Sequence, residues 1–221
     1  MSLKELLGDP SWLFDLGVPV LEFAPTVSNK KLRELEWELG DEHRLPPLSA
    51  LNGEKRFAES SIAWSDHGLL IHFAVQIDSR VNPKHSLSPP VLTFYVDTRW
   101  SPGVHRGTMY CHRIEMLLTR PVSSELKRGH GELTPMQRAR ASPNPVHPND
   151  LLIGTLRREF GYEIKVFIPT ESLTGYEPRE FQELGLFYVL RDDQLGRQCM
   201  ARSVHSPFFE DPSLWCRGKL T

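Results

Sequence analysis

From Leu69 to Ile77, every second residue is apolar. Leu69, Ile71, Phe73, Val75 and Ile77 alternate with Leu70, His72, Ala74, Gln76 and Asp78. A period of two sets one wholly apolar face against one mixed face, which is the signature of a half-buried antiparallel strand and not of a helix. Leu92, Phe94 and Val96, set against Thr93, Tyr95 and Asp97, repeat it. With the stretch GTMYCHRIEMLL, residues 61–118 predict three strands of one sheet, and the rest of the chain is expected to cover and extend them.

The same reading extends in both directions. Residues 2–7 predict a short amphipathic turn, ended by Gly8, Asp9 and Pro10. Residues 18–23 predict an edge strand, because Pro19 removes a ladder donor. Leu35, Trp37 and Leu39 alternate with Glu34, Glu36 and Glu38, predicting a second strand with a charged outer face. Asn52-Gly53 marks a turn, and Asp66-His67-Gly68 a tight turn into the long strand. Residues 83–90 and 101–107 read as loops. The periodic signal disappears over 121–150, a proline-rich excursion expected to cross the sheet surface, with a strand around 137–141. It resumes at 151–158 and in GYEIKVFIP, where Thr170 then predicts an N-cap. The near-continuous apolar run 184–190 predicts a central strand covered on both faces, followed by a strand at 198–204. Nine or ten short strands predict an all-β chain: a two-sheet antiparallel β-sandwich of jelly-roll type with little helix. One domain over 1–221 is expected, with 1–44 an N-terminal extension of edge strands and 121–150 the long excursion.

Composition narrows the function classes. The formal charge is −2, so no overall basic field draws the chain to nucleic acid or to an anionic membrane, and neither partner is expected. No apolar stretch approaches the roughly 18 residues of a membrane span. Three cysteines, Cys111, Cys199 and Cys216, form no disulfide framework or zinc knuckle. With no signal peptide visible, the expectation is a soluble cytoplasmic chain with reduced thiols; a trimmed leader would change it.

The order of these pieces resembles the carbohydrate-binding module family 9-like group. AWSDHGLLIHFAVQ is similar to the family's strand pair with a tryptophan, a polar turn and Gly-Leu before an alternating strand. LTFYVDTR, YEIKVFIPTESL and LGLFYVLRDD follow in the family's order, from about residue 45 to residue 215. HRGTMYCHRIEML and EDPSLW look like marks of a subgroup. The resemblance implies a jelly-roll-type sandwich, a saccharide partner held by aromatic platforms with polar neighbours, and in many members structural calcium. It maps no site residue by residue, and a fold alone does not settle function.

Sugar binding needs a flat ring against a pyranose face with donors and acceptors beside it. Trp100, in the loop after Asp97-Thr98-Arg99, is the leading platform, with Arg99 and His105 as hydrogen-bonding neighbours. The plainer reading is that Trp100 caps the sandwich. Tyr110, His72, Gln76 and Tyr95 are expected to share the mixed sheet face, as an open groove or as a layer buried under 121–150. Trp12, Trp37, Trp64 and Trp215 read as core or lid residues. His105, Cys111 and His112 are the compact group of soft ligands, although Cys111 and His112 point to opposite faces of a strand. Asp192 and Asp193, joined by Asp97, are candidate calcium ligands, against the plain reading of solvated strand ends. No GxSxG, Walker-type or HExxH motif is present. The leading expectation is therefore a non-catalytic saccharide-binding domain. The alternatives are a structural or protein-interaction sandwich, and a glycoside-active enzyme around Asp97, Glu115 and Arg113.

Overall fold

The computed structural model describes residues 17–24, 26–46, 55–77, 88–121, 123–200 and 207–221. The turn expected at 2–7, Trp12, Asn52-Gly53, most of the loop 83–90 and most of the strand expected at 198–204 lie outside them. Among the described residues there are twelve strands: β1 (Gly17–Glu22), β2 (Ala58–Ser65), β3 (Gly68–Gln76), β4 (Val91–Asp97), β5 (Cys111–Leu117), β6 (Lys127–Arg128), β7 (His130–Thr134), β8 (Leu152–Arg158), β9 (Gly161–Pro169), β10 (Glu183–Asp192), β11 (Gly196–Cys199) and β12 (Cys216–Leu220). Helix is confined, among the described residues, to α1 (Asn29–Glu34) and single 3-10 turns, so the all-β expectation holds. None of these helices is long and apolar enough to cross a membrane.

Pairing runs along one path, β6-β8-β9-β3-β2-β1-β12-β10-β4-β5-β7, with β11 added to β10. It has two halves, joined by β1. Residues 17–20 of β1 run parallel to β12, and Leu21 and Glu22 run parallel to β2. This corrects the edge-strand reading of 18–23, and with it the edge-strand picture of 1–44 where those residues are described. Pro19 is tolerated because β1 pairs on one side only where that proline stands. The three strands expected in one sheet over 61–118 also divide. The β2–β3 hairpin belongs to one half and β4–β5 to the other. Alternation reports which face of a strand is apolar; it does not report which strands are neighbours.

A shared core explains the alternation itself. Leu69, Ile71, Phe73 and Val75 of β3 join Leu92, Phe94 and Val96 of β4 and Leu186, Tyr188 and Leu190 of β10 in one buried cluster. Phe73 meets the edge of Tyr188 at 4.8 Å between ring centres, a geometry worth about 1 kcal/mol beyond the area it buries. Strand β10 is buried on both faces from Leu184 to Leu190, as its continuous apolar run predicts. Trp37, Trp64 and Trp215 are all buried, in line with the core reading.

The outer face of β3 is covered mainly by residues 32–37, and Leu126 is the residue of 121–150 that packs against them. Ser28 caps α1 by accepting from the Lys31 N–H, and the helix ends at Leu35, whose φ is +60°. Leu32, Leu35 and Trp37 then pack on Ala63, Leu70 and Phe167. The predicted strand over Leu35–Leu39 is thus a capped helical turn followed by chain that forms no ladder. Its alternation is real, because Leu35 and Trp37 are buried between exposed acids, but the surface they meet is made of side chains.

Residues 121–150 close the path instead of crossing it. Their two strands pair with its opposite ends, β6 with β8 and β7 with β5, and only Gly129 stands between them. The strand expected at 137–141 is absent, because the chain turns at 137–138 with Arg138 at φ +58°. Thr170 opens a 3-10 turn without capping it, and its hydroxyl donates to the Asp66 carbonyl. A Cβ at Gly129 would lie 2.8 Å from Ile153 Cγ2 and 3.0 Å from the Leu117 carbonyl oxygen. We expect Gly129→Ala to lower stability by about 1–3 kcal/mol through overpacking at this bend. Urea unfolding checks it; an unchanged midpoint would show that the bend has room to give.

Candidate functional site

The corner after β4 is built around a buried carboxylate. Asp97 is 2% exposed, and its oxygens accept the backbone N–H groups of Arg99 at 3.0 Å and Ser101 at 3.1 Å. Burial pushes its pKa up while these two bonds pull it down. The turn they brace places Trp100 at φ +32°. A Cβ on Gly185 of β10 would stand 3.2 Å from Trp100 Cε3 and 3.4 Å from Trp215 Cε3, so the missing side chain makes room for both rings. Trp100 is half-buried against this floor, part cap and part accessible surface.

Arg99 turns away from the tryptophan. Its guanidinium lies 3.4 Å from the centre of the Phe181 ring and 5.3 Å from that of Tyr110, and it pairs with Glu177 at 3.1 Å. Tyr110 rests against Gly175, where a Cβ would come within 2.6 Å of its ring. These two candidates therefore form a cross-braced cluster of their own.

His105 lies at the far side of the loop, on a cleft of about 330 Å³ lined by His105, Arg106, Arg138, Pro207, Glu210 and Asp211. Its Nδ1 is 2.9 Å from Asp211 Oδ2 and 3.1 Å from Ser213 Oγ. Asp211 is in turn held by the Ser213 N–H at 3.0 Å and hydroxyl at 2.6 Å, as the cap of the 3-10 turn Pro212–Leu214. The carboxylate only accepts, so Nδ1 carries a proton, and in the neutral ring Nε2 is the acceptor. Asp211 and Ser213 escaped the sequence reading; Asp-Pro-Ser, a cap followed by proline, is the signal that could have found them.

The remaining candidates do not converge. Tyr95 is buried among Phe187, Phe208 and Trp215 in the half opposite β3. His72 and Gln76 lie on the outer face of β3, where His72 is 3.7 Å from Glu163. Beside them Lys165, paired with His72 across the ladder, donates to the Trp37 carbonyl and to Glu38 at 2.6 and 2.7 Å. The mixed sheet face expected to unite Tyr110, His72, Gln76 and Tyr95 is therefore not one surface. Nor is there a carboxylate pair: Glu115 binds Arg113 at 2.9 Å, four residues along β4's partner strand from Asp97's position, or roughly 13 Å.

The proposed acidic ligands separate in the same way. Asp97 pairs with Gly185, whereas Asp192 is seven residues further along β10, roughly 23 Å away. Asp192 is fully buried, taking Arg120 at 3.1 Å, the Tyr162 hydroxyl at 2.9 Å and the N–H groups of Gln194 and Leu195. Arg120 also reaches Asp193 at 3.1 Å, so a guanidinium stands as counter-ion to this pair. Among the described residues no group of three or more His, Cys, Asp or Glu gathers to hold a metal ion.

Cys111 and His112 do point to opposite faces, and neither meets His105. Cys111 sits across from Asp97 with its thiol pushed up to about 11, first by burial and then by that carboxylate. His112 Nε2 accepts the Thr174 N–H at 2.8 Å, which leaves the proton on Nδ1 for the Tyr110 carbonyl at 2.9 Å. Burial holds its pKa down to about 4. Protonation would turn the Nε2 acceptor into a donor facing a donor. Below about pH 6.5 the unfolded chain takes up this proton and the folded chain does not, so acid favours unfolding down to about pH 4. We expect this residue alone to remove about 3 kcal/mol between those limits. Urea midpoints across that range, compared with those of His112→Gln, check it; parallel pH profiles for the two proteins would contradict it.

No protein-family model matches the chain, and no curated protein matches it. Solved structures do. A carbohydrate binding module family 9 from Caldicellulosiruptor kristjanssonii, in complex with cellotriose, is similar with a TM-score of 0.54 at 12% sequence identity, over 93% of this chain and 93% of that chain. A family 9 module from the same organism in complex with glucose gives 0.51 at 12% identity, over 93% and 95%. Over nearly its whole length, then, the chain has the fold of the family 9 carbohydrate-binding modules.

Proposed function

We propose that the protein is a non-catalytic carbohydrate-binding domain, and that its strand path is a jelly-roll-type sandwich which receives saccharide at the 99–107 loop end. The observation that carries this reading is the loop itself. It holds a partly accessible tryptophan and runs into a cleft lined by groups that both donate and accept hydrogen bonds. That is the combination a pyranose requires: an apolar ring for its C–H face and polar groups for its hydroxyls. The two solved modules of this fold, described in complex with cellotriose and with glucose, support the ligand class. The alternative, a sandwich whose sheet faces are filled by its own chain, fits the β3 face, which carries Trp37 and Leu35. It does not account for the open loop end.

In this reading Trp100 is the platform and His105 orients hydroxyls; Arg99 and Tyr110 brace the corner from behind. His72, Gln76 and Tyr95 play no part in binding. Calorimetry against glucose, cello-oligosaccharides and a wider saccharide panel tests it. Trp100→Ala should weaken binding about thirtyfold or more, the loss of a central aromatic contact. His72→Ala should leave it unchanged. Silence across the panel, or full binding by a folded Trp100→Ala protein, would remove the proposal.

A further inference from the structure

The cleft beside His105 carries a charge pattern that a neutral sugar does not use. Arg138 faces Glu210 at 3.5 Å, and Asp211 takes His105. Arg106 is different. Among the described residues its guanidinium meets no carboxylate; its Nε donates to the Arg138 carbonyl at 2.8 Å. That bond anchors one edge of the planar group and leaves its two terminal nitrogens as a side-by-side pair of donors. A guanidinium held in this way matches an oxyacid group with two parallel bonds, which a flexible ammonium does not. The cleft's two carboxylates are already committed, Glu210 to Arg138 and Asp211 to His105 and Ser213, so they repel an incoming anion less than free acids would.

We infer that the cleft selects a saccharide carrying an anionic oxyacid group, a uronate or a sulfate ester, bound by Arg106 while His105 Nε2 accepts a neighbouring hydroxyl. The inference rests on the saccharide reading above and adds the substituent. Asp211 and Ser213 act as positioning residues, since they fix which imidazole nitrogen keeps its lone pair.

Calorimetry on the full chain at low salt, with trigalacturonate, galactose 6-sulfate and cellotriose as probes, tests it. An acidic probe should bind at least about tenfold more tightly than cellotriose, and its advantage should shrink as salt rises. Arg106→Gln should weaken the acidic probe about tenfold to a hundredfold, the range of a lost charged hydrogen-bond pair, and weaken cellotriose by much less. Arg106→Lys should restore only part of it. The two acidic arms distinguish carboxylate from sulfate. Equal binding of neutral and acidic probes, or a preference that survives Arg106→Gln, overturns the inference and leaves the saccharide reading standing. Binding of no probe by a protein that melts normally overturns the inference, and silence across the wider saccharide panel overturns the saccharide reading with it.

Discussion

The structure depends on two pieces of chain that each belong to both halves of the strand path. β1 passes from β12 to β2 within six residues, and 127–134 passes from β8 to β5 around Gly129. Open sheet edges expose unpaired backbone groups and invite association. Bending one strand so that it serves both halves removes most of that exposure without a helix to cover it. The cost is steric, and it is met by glycine at 129, where Ile153 and the Leu117 carbonyl leave no space for a side chain.

A second theme concerns buried polar side chains. Asp97, Asp192 and His112 are among the most enclosed ionisable groups, and each accepts backbone N–H groups from a neighbouring turn or loop. A buried acceptor without a partner is costly, and so is a loop N–H facing the interior. Matching them solves both problems and ties irregular chain to regular strand. The loop end therefore has a rigid base, Asp97 under Trp100 and His112 under Thr174, while Arg106 and His105 stand at its rim.

Much of the fold was legible because period-two burial is written residue by residue: β3, β4, β9 and β10 follow directly from their apolar positions. What was not legible depends on partners far away in the chain. Nothing local in Gly17–Glu22 reveals that it runs parallel to Cys216–Leu220, and the alternation at Leu35 and Trp37 is the same whether the neighbour is a strand or a packed face. The resemblance succeeded for the fold because it rested on the order of elements. The site fared less well. Trp100 and His105 were singled out from their loop, whereas His72, Gln76 and Tyr95 were grouped by strand parity without knowledge of which half each strand occupies. Asp192 and Asp193 drew attention as acids, and their partner Arg120 lies 72 and 73 residues away. Asp211, Ser213 and Arg106 look like ordinary turn and surface residues until the tail is brought against the loop.

The parallel pair of β1 and β12 bears on how such a chain acquires its shape. Gly17 meets Arg217, two hundred positions later, and β12 lies in the middle of the strand order between β1 and β10. A contact of that span requires a large loop to be closed before it yields any stabilisation, which slows assembly. During synthesis the early strands must therefore wait, with β1 unable to bridge the two halves until residues 216–220 have emerged. The pause leaves hydrophobic strands temporarily uncovered, so the chain's most vulnerable interval precedes the arrival of one short segment.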